Sequence, residues 1–276
     1  MTPSILPQRI AHAFSIFRAK NGDSLHFAAH SHHWWPDVAR EAHLACWDDA
    51  ARLVDDKWEH VLDDVWGDVK ARIARHLNLP DPNSLVPAPN THELINRILS
   101  CFPLDRPVRI IATDGEFHSF RRQSARLVED KAIILTTVAA EPFDTLARRL
   151  IAAVEATPGV DVVFFSQVLF NSGFALTDLD AIVDRIASPR RFIVIDGYHG
   201  FLARPTDLSR IADRAFYMAG GYKYAMSGEG ACFLHAPPGY GPRPRNTGWY
   251  AGFGALSEVQ KGVPYAENGW RFMGAT

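Results

Sequence analysis

An α/β fold built on an open, mostly parallel sheet is what this sequence predicts, and three observations predict it. From Asp81 onward, short apolar runs alternate with helical stretches, the pattern of strands joined by crossover helices. Several of the runs, such as Phe192–Ile195 and Ala215–Ala219, are short, continuous and apolar, as buried strands are. The chain has 276 residues, 47% of them hydrophobic, enough to bury a core in one large domain or one and a half.

Taken in order, the first element is a helix over about residues 8 to 21, where Ile10, Phe14 and Phe17 recur at near-helical spacing. Asn21-Gly22-Asp23 then turns the chain. Four histidines, His26, His30, His32 and His33, crowd into the next segment with Trp34 and Trp35, but no carboxylate or cysteine shares their spacing, so no metal site is predicted. Pro36-Asp37 suits the first turn of a helix running to residue 77. Trp47, Trp58 and Trp66, with Val54, Val61 and Leu62, supply its apolar face; acidic pairs at 48–49, 55–56 and 63–64 face outward. Seven strands follow, at 85–88, 108–112, 132–136, 161–166, 192–195, 215–219 and 230–235. Helices are expected at about 91–102, 119–130, 143–156 and 178–187, with a further one at 206–212.

The bulk properties exclude several classes. Twenty-nine basic and 31 acidic residues are mixed along the chain, for a net charge of −2, so neither a nucleic-acid groove nor a polybasic membrane anchor is predicted. Cys46, Cys101 and Cys232 are widely spaced and odd in number, which suits a reducing compartment and gives no disulfide framework. No signal peptide opens the chain and no run approaches a membrane span, so a cytoplasmic protein is expected. A simple dinucleotide binder would carry Gly-x-Gly-x-x-Gly after its first strand; here that turn is missing.

The chemistry gathers at the carboxyl ends of the strands, where ligands bind in sheets of this kind. The run Ala215–Ala219 ends in Gly220-Gly221-Tyr222-Lys223-Tyr224, a lysine walled by tyrosines after two glycines. Such surroundings lower a lysine's pKa and make it a nucleophile able to form a Schiff base. The strand before it ends in Asp196, with His199 three residues on. A lysine for an aldehyde and a carboxylate for a ring nitrogen are the two groups that pyridoxal phosphate requires. Asn90 and Thr91 stand where a strand meets a helix N-terminus, a position that both caps the helix and binds phosphate.

Ile195-Asp-Gly-Tyr-His-Gly200 and Ala219-Gly-Gly-Tyr-Lys-Tyr-Ala225 together resemble the core of class V aminotransferase-fold enzymes, with kynureninase and its relatives as the nearest branch. The resemblance covers nearly the whole chain. It implies a fold-type-I large domain at residues 37–240, an N-terminal arm at 1–36 that enters the active site, and the start of a truncated C-terminal small domain at 241–276. It implies pyridoxal 5'-phosphate bound to Lys223, with Asp196 against the ring nitrogen and Phe117 stacked on the ring. Asn171 or Ser172 would lie beside the ring oxygen, and His199 would pack against the cofactor. Tyr222, Asn90 and Thr91 would hold the phosphate, with Trp249 reaching it, in dimers, across the subunit interface. The implied partners are an amino acid, which displaces the lysine as an external aldimine, and a second copy of the chain. Transamination is the first expectation for the reaction; C–C hydrolysis, desulfuration or elimination are alternatives, and a non-catalytic cofactor-binding protein is the alternative of another class. Two positions depart from the kynureninase pattern, Phe120 where that branch has an aspartate and Gly274 where it has an asparagine. Relatives continue beyond this point into a small domain whose arginine grips the substrate carboxylate, and no arginine here matches it. Phe253, Trp270 and Phe272 are accordingly expected on an exposed apolar face, and turnover by the chain as given is expected to be poor.

Overall fold

The computed structural model describes residues 10–22, 24–255 and 261–274. Its centre is one seven-stranded sheet: β1 (Leu85–Ala88), β2 (Val108–Thr113), β3 (Ile133–Val138), β4 (Val162–Ser166), β5 (Phe192–Asp196), β6 (Ala215–Gly220) and β7 (Cys232–His235), in the order β1-β7-β6-β5-β4-β2-β3. All neighbouring pairs from β3 to β6 are parallel. β7 pairs antiparallel with both β6 and β1, so it alone runs against the rest. The seven strands lie where the sequence predicts them, to within two residues at either end.

Alternate residues of each central strand feed two separate cores, as the two-residue period of a strand requires. Ile111, Val163, Phe165, Ile193, Ile195 and Tyr217 face one side. There they meet α3 (Trp66–Leu77), α6 (Leu146–Ala156) and α7 (Leu179–Ile186). Ile110, Phe164, Val194, Phe216 and Met218 face the other side. That face is covered by α4 (Thr91–Leu99), by α5 (His118–Glu129) and by the segment carrying Tyr250 and Phe272. Burial on both faces is why these strands are apolar throughout.

Three expectations need correction. The helix predicted over 37–77 is broken: α2 spans Asp37–Leu53, Val54 takes a positive φ of 53°, and a π-helical turn at His60–Val65 leads into α3. A positive φ is unfavourable for a β-branched residue and ends the regular helix there. The apolar face assigned to this stretch is not a continuous packed face either. α2 has no buried residue and Trp47 is 70% exposed, whereas Trp58 and Leu62 pack against the second core and Trp66 against the first. Residues 206–212 form an irregular stretch that ends in a turn at 209–212 instead of a helix. Asp207 Oδ1 accepts from Ser209 N at 2.9 Å and Leu208 N donates to Leu77 O, local and tertiary bonds that compete with helical ones. Finally, Phe272 is fully buried rather than exposed, and Trp270 is half-buried; Phe253 remains 44% exposed. The short α1 (Ser15–Asn21) lies within the predicted first helix. No described helix is long and apolar enough to cross a membrane.

Candidate active site

β6 delivers its lysine through two glycines packed hard against neighbouring side chains. A Cβ on Gly220 would stand 2.1 Å from the Tyr198 ring, and one on Gly221 would stand 1.9 Å from Ser227 Oγ. The chain therefore passes closely between β5's turn and its own return, and Lys223 is pressed inward until only 4% of it is exposed. Its Nζ donates to the carbonyls of His30 at 2.9 Å and Ser31 at 3.1 Å, so the N-terminal arm meets the lysine directly. Nζ also lies 5.1 Å from the centre of the Tyr222 ring and 5.8 Å from that of Tyr198. Burial lowers the lysine's proton affinity, and the negative charge of Asp196 partly opposes this.

Asp196, the last residue of β5, is buried. Its Oδ1 accepts from Tyr198 N at 2.9 Å, which fixes the turn after the strand. Burial pushes this carboxyl up to about 6, while the Tyr198 amide and Lys223 pull it down. The same turn brings in His199, which burial, then Lys223 and His30, hold down at about 4, so the imidazole is neutral near pH 7. The Phe117 ring, entering from the end of β2, lies 5.9 Å from that of His199. Lys223, Asp196, His199, Phe117 and Tyr222 thus converge.

The remaining predicted residues divide. Asn90 Oδ1 accepts from Glu93 N at 2.9 Å, the N-cap of α4, and the Thr91 amide beside Cys232 partly offsets the burial that pushes this thiol up to about 11. Cys232 Sγ in turn donates to Tyr198 OH at 3.8 Å, so the α4 N-terminus joins the lysine's surroundings through Cys232 and Tyr198. Asn171 and Ser172 are exposed, and Ser172 Oγ accepts from Phe174 N within its own turn. It is Phe170 of that segment that meets Phe117, at 5.2 Å, and His199, at 6.4 Å. Trp249 belongs to another cluster, stacked on Tyr250 at 4.0 Å beside Phe253. The arm's histidines pack as rings: His32 stacks on Tyr222 and His26 on Trp34. Among the described residues, no group of three or more His, Cys, Asp or Glu is arranged to hold a metal.

Two groups escaped the sequence reading. Phe170 gives no signal beyond an apolar residue in a loop. Glu116 is completely buried at the end of β2, hydrogen-bonded to Thr113 and Ser166, although Asp114-Gly115-Glu116 reads as an exposed polar turn. A cavity of about 1030 Å³ adjoins the lysine segment, bordered there by Gly221, Ala225, Ser227 and Cys232.

No established family profile matches the chain. Over 163 residues it is 29% identical to isopenicillin N epimerase of Streptomyces clavuligerus, a stretch covering 58% of this chain and 40% of the epimerase. The chain thus spans well under two thirds of that curated relative. Among solved structures it is similar to a mutant of C-DES with glycine covalently linked to the PLP cofactor, at a TM-score of 0.75 and 20% identity, over 96% of this chain and 69% of that one. It is also similar to the cysteine desulfurase CsdA of Escherichia coli, at a TM-score of 0.70 and 19% identity, over 95% of this chain and 67% of the other. These likenesses establish the fold. The mixed seven-stranded sheet and its helices have the fold-type-I architecture of pyridoxal-phosphate-dependent enzymes, shared with the cysteine desulfurases.

Proposed function

We propose that this chain binds pyridoxal 5'-phosphate at Lys223 and acts on the α-carbon of an amino acid. The observation that carries this is the pairing of a buried lysine of lowered proton affinity with a buried carboxylate, at the carboxyl ends of two adjacent strands of a fold-type-I sheet. The donor set fits the cofactor. A buried Asp196 would find a compensating cation in a protonated ring nitrogen, Phe117 would offer a ring face, and the start of α4, where Asn90 caps Glu93 N, suits a phosphate together with Thr91 and Tyr222. Bound there, the group supplies an aldehyde that captures amines and a ring that takes up electrons.

The residues divide the work. Lys223, buried and of lowered proton affinity, would be placed to move the α-proton. Asp196 would hold a proton on the ring nitrogen, and its Oδ1 contact with Tyr198 N keeps the carboxyl in place. His199, neutral near pH 7, would pack beside the ring without adding charge. The tyrosines and the arm exclude water from the amine. Asn171, Ser172 and Trp249 remain candidates for contacts to the ring oxygen and the phosphate, the last from a second subunit of a homodimer.

Transamination is the class we propose first. C–S cleavage is the second reading, because the structural neighbours include a cystine C–S lyase and cysteine desulfurases. The experiment begins with purified protein and added pyridoxal phosphate. A visible band, fixed by borohydride as an adduct on Lys223 and missing in Lys223→Ala, is the expected result. An adduct on another lysine, or none, counts against the site. Amino acids that shift the band then identify the substrate, and keto acid against sulfide as product separates the two chemistries. A band that no amino acid shifts would favour a binding protein without turnover.

A further inference from the structure

Glu116 precedes Phe117 and is 0% exposed. Its Oε1 accepts from Thr113 Oγ1 at 2.5 Å and from Ser166 N at 3.3 Å, and its Oε2 accepts from Ser166 Oγ at 2.6 Å. Thr113 is the last residue of β2 and Ser166 the last of β4. The backbone pairing of these two strands stops short of both, at Ala112 and Phe164. The carboxyl therefore continues the seam between β2 and β4 by side chain where the main chains have parted.

Each end of that seam leads into the site. Ser166 lies beside Asp196 in the register of β4 and β5, and Gln167 N donates to Asp196 O at 2.9 Å. Thr113 Oγ1 also accepts from Gly115 N at 3.2 Å, and Asp114 Oδ1 from Ala140 N at 2.7 Å, so the turn that presents Phe117 is fastened at both ends. The partners of Glu116 are hydroxyls and an amide rather than a cation. A hydroxyl accepts as readily as it donates, so a side-chain amide fits the same pocket. Burial pushes the Glu116 carboxyl up to about 7, against its bonds from Ser166 and Thr113, and the charge of Asp196 adds to the push.

We propose that Glu116 is a positioning residue, a staple across the ends of β2 and β4 that holds the Phe117 ring and the Asp196 carboxylate in fixed relation. The purpose of the staple rests on the cofactor reading above; its existence as a fastening does not. An alanine at 116 leaves two hydroxyls and an amide without their partner in a dry pocket, whereas glutamine keeps the joint.

The test compares Glu116→Ala, Glu116→Gln and Ser166→Ala with the unsubstituted protein. Three quantities are read: affinity for pyridoxal phosphate, circular dichroism of the bound visible band, and hydrogen exchange of residues 113–118 in cofactor-free protein. Glu116→Ala is expected to weaken the affinity about tenfold or more, to diminish the dichroism per bound cofactor and to speed exchange in that segment. Glu116→Gln is expected to match the unsubstituted protein in all three, and Ser166→Ala to fall between. Unchanged dichroism and exchange in Glu116→Ala overturn the proposal. So does a folded Glu116→Gln that behaves like Glu116→Ala, since charge rather than the joint would then matter. Should Glu116→Ala not fold, Ser166→Ala decides by the same readings, unchanged values again overturning the staple. If the unsubstituted protein forms no borohydride-stable bond at Lys223, the cofactor reading fails by itself, and exchange in 113–118 still judges the staple.

Discussion

Asp196 and Glu116 are two buried carboxyls close enough for the charge of Asp196 to act on Glu116, and they hold different positions in the site. Asp196 is within the influence of Lys223 and is proposed to face the ring; Glu116 is walled in by Thr113 and Ser166. Asp196→Asn is expected to leave the covalent bond to Lys223 intact while lowering turnover by about 3–4 kcal/mol of transition-state stabilisation, because an amide cannot hold the ring proton. Single-turnover rates measure it, and a rate near that of the unsubstituted protein would reduce Asp196 to a turn former.

The same two carboxyls set a pH dependence of folding. Each is pushed up in the folded state, Glu116 to about 7 and Asp196 to about 6, so between the ordinary carboxylate range of about 4 and those values the folded chain binds more protons than the unfolded one. Stability from these groups is therefore full at low pH and is lost as pH rises through the window. Melting temperatures of cofactor-free protein are expected to fall less steeply between about pH 4.5 and 7 in Glu116→Gln than in the unsubstituted chain. Parallel curves for the two would show that Glu116 ionises normally. Lys223 and Asp196 were legible because a lysine after two glycines and an aspartate at a strand's end are local patterns. Glu116 was not, since nothing in Asp-Gly-Glu distinguishes a surface turn from one folded beneath a neighbouring strand.

Among the elements, the strands were legible because burial on both faces leaves them unbroken apolar runs, as in Val162-Val-Phe-Phe165. The direction of β7 was not, because a strand's residues are the same whichever way it runs. The irregular stretch at 206–212 depends on Leu77, far away in the chain, and no local pattern announces such a partner. The described part of segment 237–273 shows the same effect on a larger scale. Its proline-rich start reads as a linker, yet Arg271 is only 3% exposed and donates to the carbonyls of Pro237, Tyr240 and Asn268. Phe272 beside it reaches Phe216 in the second core. Phe272→Ala is expected to cost about 3–5 kcal/mol in urea unfolding. A loss below about 1 kcal/mol, the size of a surface change, would mean that this segment only rests on the sheet.

For the molecule as a whole, the two cores are closed on both faces of the sheet while α2 remains outside them, with Trp47 at 70% and Val38 at 63% exposure. Together with the proposed reach of Trp249 into a neighbouring site, this leads us to expect a dimer in sedimentation equilibrium. A monomer at micromolar concentration would leave Trp249 without that role. The general architecture followed from the alternation of strands and helices; which surfaces stay open is a property of the assembled sheet and has no counterpart in any short stretch of sequence.

The bond between Lys223 and the carbonyls of His30 and Ser31 joins residues 192 and 193 positions apart. During synthesis the arm leaves the ribosome first and its partner much later, on the order of 10–40 s afterwards at about 5–20 residues per second. In that interval the tryptophans of the arm have water, or a chaperone, where the lysine loop will be. Of the two segments, the one made earlier thus waits for the later one to find its place.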